Sequence, residues 1–275
     1  MMPPPGRLPR IGGALAAIAT ALLMAASAPA AITVEKTLVA ETPEAYEKGI
    51  VYPLIGIHDA TPTFLSARVY KWTQRADEMY VLEPTDDFTV YPELVRIGSD
   101  TRKSVTIKAA RPLPRGAERD YRIILREFDR ADGTDNPPSD EDVVMGIRVK
   151  PQVSVPMIVR APADVKPAPM DVVGLRDAPE ASAAERAAGA KPHQLLTVRN
   201  PGGIYHRISA VGINEPAGPK NQMVGYVLPG QSIDLPLKLK HGDRVEILYV
   251  TGPDAKIDML GKTRDDRQTV DWVVP

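Results

Sequence analysis

Residues 143–159 read VVMGIRVKPQVSVPMIV. Every second residue is apolar: Val143, Met145, Ile147, Val149, Pro151, Val153, Val155, Met157 and Val159. Between them lie Arg148, Lys150, Gln152 and Ser154. An apolar period of two marks a β-strand with one buried face. Strands average about 5–6 residues, and this pattern runs about three times that length. One small domain has little use for an apolar edge so long.

The rest of the chain after residue 31 is also β-patterned, with almost no helical periodicity. Short apolar-alternating runs fall at 32–40, 49–57, 64–73, 78–82, 104–110 and 121–128. Turn residues separate them. With the 143–159 run they make about seven strands, the count of a β-sandwich. RAPADVKPAP (160–169) follows, with three prolines in ten residues, and reads as a stiff connector. A second β region has runs at 170–176, 193–200, 205–213, 224–230, 232–239, 243–251 and 269–274. Two segments break the pattern. Residues 129–142 are acidic, with Gly and two prolines, and predict a mobile loop. Residues 178–192 are Ala-rich and polar and predict a flexible insertion. The expected fold class is all-β, with two sandwiches of similar size.

The N-terminus places Arg7 and Arg10 before IGGALAAIATALLMAA, then small residues at Ala28 and Ala30. That order is an export signal, with cleavage near Ala30. The apolar run is shorter than the roughly twenty residues of a membrane span, and the mature chain has no other candidate.

Composition narrows the function classes. The chain of 275 residues has net charge −1, so no global basic field draws it to nucleic acid or anionic lipid. It has no cysteine, which excludes disulfides, thiolate metal sites and a thiol nucleophile. Its four histidines, His58, His193, His206 and His241, are not spaced as a ligand pair, so no metal site is expected. Aromatic content of 5% argues against a stacking platform for sugars or bases. No nucleophile elbow, P-loop or dinucleotide fingerprint occurs. The acidic loop lacks the Gly and Glu positions of a calcium loop. No catalytic residue and no cofactor is expected.

Several stretches, in order, resemble the PapD-like periplasmic chaperones of the chaperone–usher pathway. In the first half they are ARVYKWTQ (67–74), EPTDDFTVYPELVRI (83–97), KSVTIKAARPLPRGAERDYRIILREF (103–128) and VSVPMIVRAP (153–162). In the second half they are LLTVRNPGGIYHRISAVGI (195–213) and GYVLPGQSIDLPL (225–237). The WTQ, PTDDF and SVPMIV elements are similar to the archaic branch of that family.

The resemblance implies two immunoglobulin-like sandwiches in a boomerang, at 31–161 and 170–275, joined by a linker at 162–169. It implies a periplasmic protein that binds pilus subunits by donor-strand complementation and delivers them to an outer-membrane usher. The lending residues would be Val143, Met145, Ile147 and Val149, while Val153 to Val159 would pack in the chain's own core. Such an edge also offers a site for pairing with a second copy of the chain. The family's P-pilus branch anchors the subunit's C-terminal carboxylate with a basic pair. Those positions fall on Leu38 and Pro156 here, so the pair is not retained. Arg122, Lys36, Arg148 and Lys150 are the candidate substitutes. Glu118 and Arg160 match an interdomain ion pair of the family, and Leu228-Pro229-Gly230 its turn in the second domain. The competing reading is an exported two-domain adhesin or structural pilus component that satisfies its apolar strand internally.

Overall fold

The computed structural model describes residues 32–56, 63–128, 152–179, 194–217, 225–255 and 267–275. The expected export signal, the acidic loop at 129–142 and most of the Ala-rich segment lie outside these residues.

The first sandwich packs two sheets. One contains β1 (Ile32–Val34), β3 (Ile50–Gly56), β8 (Arg102–Ala109) and β6 (Phe88–Tyr91), in that order. The other runs β2 (Val39–Glu41), β10 (Gln152–Val159), β9 (Arg119–Phe128), β4 (Thr63–Arg75) and β5 (Glu78–Pro84), with β7 (Leu94–Ile97) also paired to β4. Alternation decides what goes inside. Val105, Ile107 and Ala109 of β8 face Leu65, Ala67 and Val69 of β4 and Tyr121, Ile123 and Leu125 of β9 within one core. Val155, Met157 and Val159 join that core, with Val153 packed against it. Apolar burial of this kind is the main favourable term in folding.

Three details depart from the sequence reading. The run 32–40 is two strands, not one. β1 pairs with β3, the chain bends at Glu35 and Thr37, and β2 pairs in parallel with β10 in the opposite sheet. Residues 83–97 hold two short strands, β6 and β7, one in each sheet. A six-residue helix, α1 (Pro43–Lys48), lies where no helix is expected. It is too short to show a period. Local signals make it: Thr42 caps the Ala45 N–H, Pro43 occupies the first turn, and Gly49 ends it at φ 98°. Its buried Tyr46 donates its hydroxyl to the Ile158 carbonyl at 3.1 Å, fastening the helix to β10.

The second sandwich has sheets β11 (Asp171–Asp177), β12 (Gln194–Arg199) and β15 (Ser232–Leu237), and β14 (Gly225–Val227), β13 (His206–Ile213), β16 (Arg244–Thr251) and β17 (Gln268–Val273). Leu196, Val198, Ile233 and Leu235 meet Ile208, Val227, Val245, Ile247 and Tyr249 in its core. Residues 160–170 carry the chain from one sandwich to the other. They pass beside the NPGG turn, in which Asn200 is fully buried and donates to the carbonyls of Ile204 at 2.9 Å and Val227 at 3.0 Å, and His206 Nε2 bonds the Ala168 carbonyl at 2.9 Å. A Cβ at Gly202 would lie 2.6 Å from the Ala168 nitrogen, so the connector passes where only glycine leaves room.

Candidate functional site: the cleft between the sandwiches

The even-numbered residues of β9 turn away from the first core and toward the second sandwich. Asp120 stands opposite Ile158, and Arg122 opposite Pro156 on one side and Tyr70 on the other. Directly opposed residues share a face. Ile158 packs in a third apolar cluster with Trp72 of the first sandwich and Tyr205, Tyr226 and Leu228 of the second; Leu38, Ala40 and Leu82 pack against it. The cleft floor is therefore built from both halves of the chain.

Arg122 is the central charge. It is 7% exposed. Its guanidinium carbon lies 4.5 Å from the Trp72 ring centroid and 4.8 Å from that of Tyr80. The two rings are nearly parallel, at 12° and 6.1 Å between centroids. Arg122 Nε donates to Ser154 Oγ at 2.7 Å, and Nη2 to the Ser154 carbonyl at 3.2 Å. Nη1 is buried with no hydrogen-bond partner among the described residues. Burial lowers the guanidinium pKa, yet arginine stays charged in proteins. No described carboxylate forms an ion pair with it. A buried cation with a spare N–H is suited to receive an anionic acceptor, above all a carboxylate.

Gln74 ties the two sandwiches together beside this group. It is 7% exposed. Its Nε2 donates to the Tyr226 carbonyl at 2.9 Å, and its Oε1 accepts from the Leu228 N–H at 2.9 Å. Its backbone N–H donates to Gln231 Oε1. Further along the hairpin, the Ala76 carbonyl accepts from the Asp234 N–H at 2.9 Å. The long β4 thus crosses from the first core to the second sandwich. Trp72 Nε1 donates to the Met79 carbonyl at 2.9 Å, closing the β4–β5 hairpin under the cleft.

The expected Glu118–Arg160 ion pair does not form. Each residue bonds the second sandwich separately. Arg160 grips Asp254 through two bonds, Nη1 to Oδ2 at 2.7 Å and Nη2 to Oδ1 at 2.9 Å, and donates Nε to the Ala40 carbonyl at 3.0 Å. Glu118 is 8% exposed and accepts the Tyr205 N–H at 2.7 Å. Burial, with the neighbouring Asp120 second, pushes the Glu118 carboxyl well above the usual carboxylate range. Asp120 is raised too, by burial. A glutamic acid held toward its neutral form makes a poor partner for a guanidinium, and Arg160 pairs instead with the exposed Asp254. Both residues border an interdomain cavity of about 650 Å³, which also touches Arg115, Val165 and Ile204.

Other expected residues fall differently. Lys36 has an exposed side chain, and its backbone carbonyl accepts the Tyr52 hydroxyl at 2.8 Å. No hydrogen bond or ion pair joins it to Arg122 among the described residues. Leu38 packs in the cleft cluster, and Pro156 is buried beside Arg122. The Leu228-Pro229-Gly230 turn is closed by the Gln231 N–H on the Leu228 carbonyl at 3.1 Å, with Gly230 at φ 70°. Val143, Met145, Ile147, Val149, Arg148 and Lys150 lie outside the described residues. Gln74, Trp72, Tyr80 and Asp254 were not singled out from the sequence. Gln74 and Trp72 stand in the WTQ element that carried the resemblance, which was the available signal.

Among the described residues, no group of three or more His, Asp or Glu side chains is arranged to hold a metal ion, and no helix is long and apolar enough to cross a membrane.

No protein-family model and no curated protein matches the sequence. Solved structures do match the fold. A chain of the CsuC–CsuE chaperone–tip adhesion subunit pre-assembly complex, from the archaic chaperone–usher Csu pili of Acinetobacter baumannii, aligns with TM-score 0.58 and 15% identity. The match covers 88% of this chain and 98% of that one. A chain of the Salmonella enterica SafA pilin–SafB chaperone complex aligns with TM-score 0.50 and 16% identity, covering 89% and 97%. At these identities the likeness is one of fold. The fold is thus that of two β-sandwich domains, the architecture these chains share with it over nearly their whole length.

Proposed function

We propose that this protein is a periplasmic, non-enzymatic chaperone that holds pilus subunits by donor-strand complementation and passes them to an outer-membrane usher. In this reading residues 1–30 are the export signal, 31–161 and 170–275 the two domains, and 162–169 the linker.

One observation carries the reading. β10 is paired with β9 along its whole length, but on its other side β2 covers only Met157 to Val159. The edge from Gln152 to Pro156 has no described partner strand, and it lies beside Arg122. Immediately before it comes the apolar run of Val143, Met145, Ile147 and Val149. These residues share sequence parity with Val153 and Val155, which belong to the core-facing set. An incomplete sandwich could take this edge as its missing strand, main-chain bonds giving affinity and alternate side chains filling its pockets. Each aliphatic side chain buried this way contributes roughly 1.5–3 kcal/mol, before the cost of association is subtracted. The free N–H of Arg122 would take the subunit's terminal carboxylate.

The test is co-expression with a candidate fimbrial subunit. Ile147→Asp with Val149→Asp is expected to abolish the soluble complex and expose the subunit to proteolysis, while the chaperone itself stays folded. Undiminished capture by the double variant would rule out lending by these residues.

A further inference from the structure

Two carboxyl groups stand where the first sandwich meets the second. Glu118 lies just before β9 and Asp120 at its start. Glu118 is 8% exposed, and its Oε1 accepts the Tyr205 N–H of the second sandwich at 2.7 Å. Asp120 stands opposite Ile158, which packs in one cluster with Tyr205. Asp120 Oδ1 is buried and has no hydrogen-bond partner among the described residues. Buried polar atoms are usually satisfied, so this one marks an incomplete place.

The charged neighbours do not neutralise the pair. Arg160 borders the same cavity as Glu118, but it is committed to Asp254 and to the Ala40 carbonyl. Arg115 also borders that cavity, and it pairs with Glu44 at 3.2 Å and Glu47 at 3.5 Å. Arg119 of β9 and Glu41 of β2 stand opposite Val159, on the other face of their sheet. Arg207 of β13 forms no ion pair with Glu118 or Asp120 among the described residues. His206 is fully buried and bonds Thr251 Oγ1 and the Ala168 carbonyl, each at 2.9 Å, while burial lowers its pKa. The phenols of Tyr205 and Tyr226 are raised by burial and stay neutral. Two carboxylates buried together without a cation are costly, and a proton removes the cost. Burial raises both carboxyls, and Asp120 raises Glu118 further.

We propose that a proton held between Glu118 and Asp120 locks the angle of the two sandwiches, and that its loss releases the second sandwich. The device stands whether or not the cleft takes a pilus subunit. The bond from Tyr205 ties the second sandwich to Glu118, and the cavity of about 650 Å³ beside it gives water a way to the ionised pair. In a released form the carboxyls are hydrated and titrate in the ordinary range, about 3.9–4.3. The locked form keeps its proton to higher pH. The lock is therefore complete at the acid end and weakens as pH rises above that range.

The chain has no cysteine, so two introduced thiols report on the angle. Spin labels at Ser104→Cys and Val173→Cys sit on exposed positions, one in each sandwich. Their separation in the full mature chain is measured from about pH 5 to about pH 9, the span over which raised carboxyls titrate. One narrow distance is expected at the acid end. A second population should grow with pH, its ratio to the first rising up to about tenfold per pH unit for one linked proton. Glu118→Gln with Asp120→Asn removes the titration and keeps an acceptor for the Tyr205 N–H, so this variant should hold the narrow distance throughout. An unchanged wild-type distance overturns the lock. So does a double variant that responds to pH as the wild type does. Circular dichroism is recorded on the same samples: if strand signal is lost together with the narrow distance, the proton serves folding and the lock is overturned. Should the double variant fail to fold, the ¹³C shifts of the wild-type Glu118 and Asp120 carboxyls decide. A protonated carboxyl at neutral pH supports the lock, and two ionised ones overturn it.

Discussion

On one face of β9, Tyr121, Ile123 and Leu125 enter a closed apolar core, each 2% exposed or less. On the other face, Arg122 and Ile124 are 7% and 2% exposed. The burial is similar, but the chemistry differs. The odd face has no demand left over: its side chains touch their own sandwich on every side. The even face holds a cation with a spare N–H and a carboxyl with an unpartnered oxygen. One strand therefore serves folding with one face and keeps the other incomplete. Burial alone does not tell a core from a site; the state of the hydrogen bonds does.

The sharpest way to break this comparison is to remove a side chain from each face. Ile123→Ala should cost about 2–5 kcal/mol in denaturant unfolding, as a cavity in a packed core does. Arg122→Met should cost less than about 1 kcal/mol or stabilise, because an apolar chain of similar length replaces a buried charge that lacks an acidic partner, while loss of its stacking on Trp72 and Tyr80 offsets part of the gain. Equal losses in the two variants would mean that the even face is structural after all. Next in size is Gln74→Ala. It orphans the Leu228 N–H and the Tyr226 carbonyl, and should cost about 1–3 kcal/mol. The loss should appear at the joint first, as faster amide exchange at Leu228 than within β9; uniform acceleration would contradict its role as a tie. The smallest effect is a slope. In the folded chain burial raises the Glu118 carboxyl, so the folded state keeps a proton that the unfolded state releases above the ordinary glutamate range, about 4.3. Stability should then fall as pH rises from that range. Glu118→Gln keeps an oxygen for the Tyr205 N–H and should flatten the Tm-against-pH curve, with a higher Tm at alkaline pH. Asp120 has the same sign and leaves some slope behind. An unchanged curve would show that Glu118 is charged in the fold.

Much of the fold was legible because strand alternation is written locally. Val153 to Val159 read as the chain's own core, and Val155, Met157 and Val159 lie there. The prolines after Arg160 fall between the end of β10 at Val159 and the start of β11 at Asp171. What escaped was what distance in sequence hides. Arg160 finds Asp254, ninety-four residues away, and nothing near either residue announces the other. Gln74 reads as an ordinary polar residue at a strand end until the second sandwich closes on it. Arg122 was singled out as a cation, but its seat on Trp72 and Tyr80 depends on three strands lying side by side. The helix α1 and the split of 32–40 into two strands were missed because each is shorter than the period needed to detect it. The residues proposed for lending, Val143 to Val149, lie outside the described part of the chain.

That edge has a built-in length. β2 takes the outer side of β10 at Met157 and runs parallel to it as far as Val159. Pro156, the residue just before, has no N–H to offer a neighbour. On the proposed function, a strand added along Gln152 to Pro156 would meet a doorstop where β2 begins. Its end would rest at the level of Arg122, which stands opposite Pro156. β2 would then set how far a visiting chain could slide, and a slip of one residue would turn every side chain of that visitor to the wrong face.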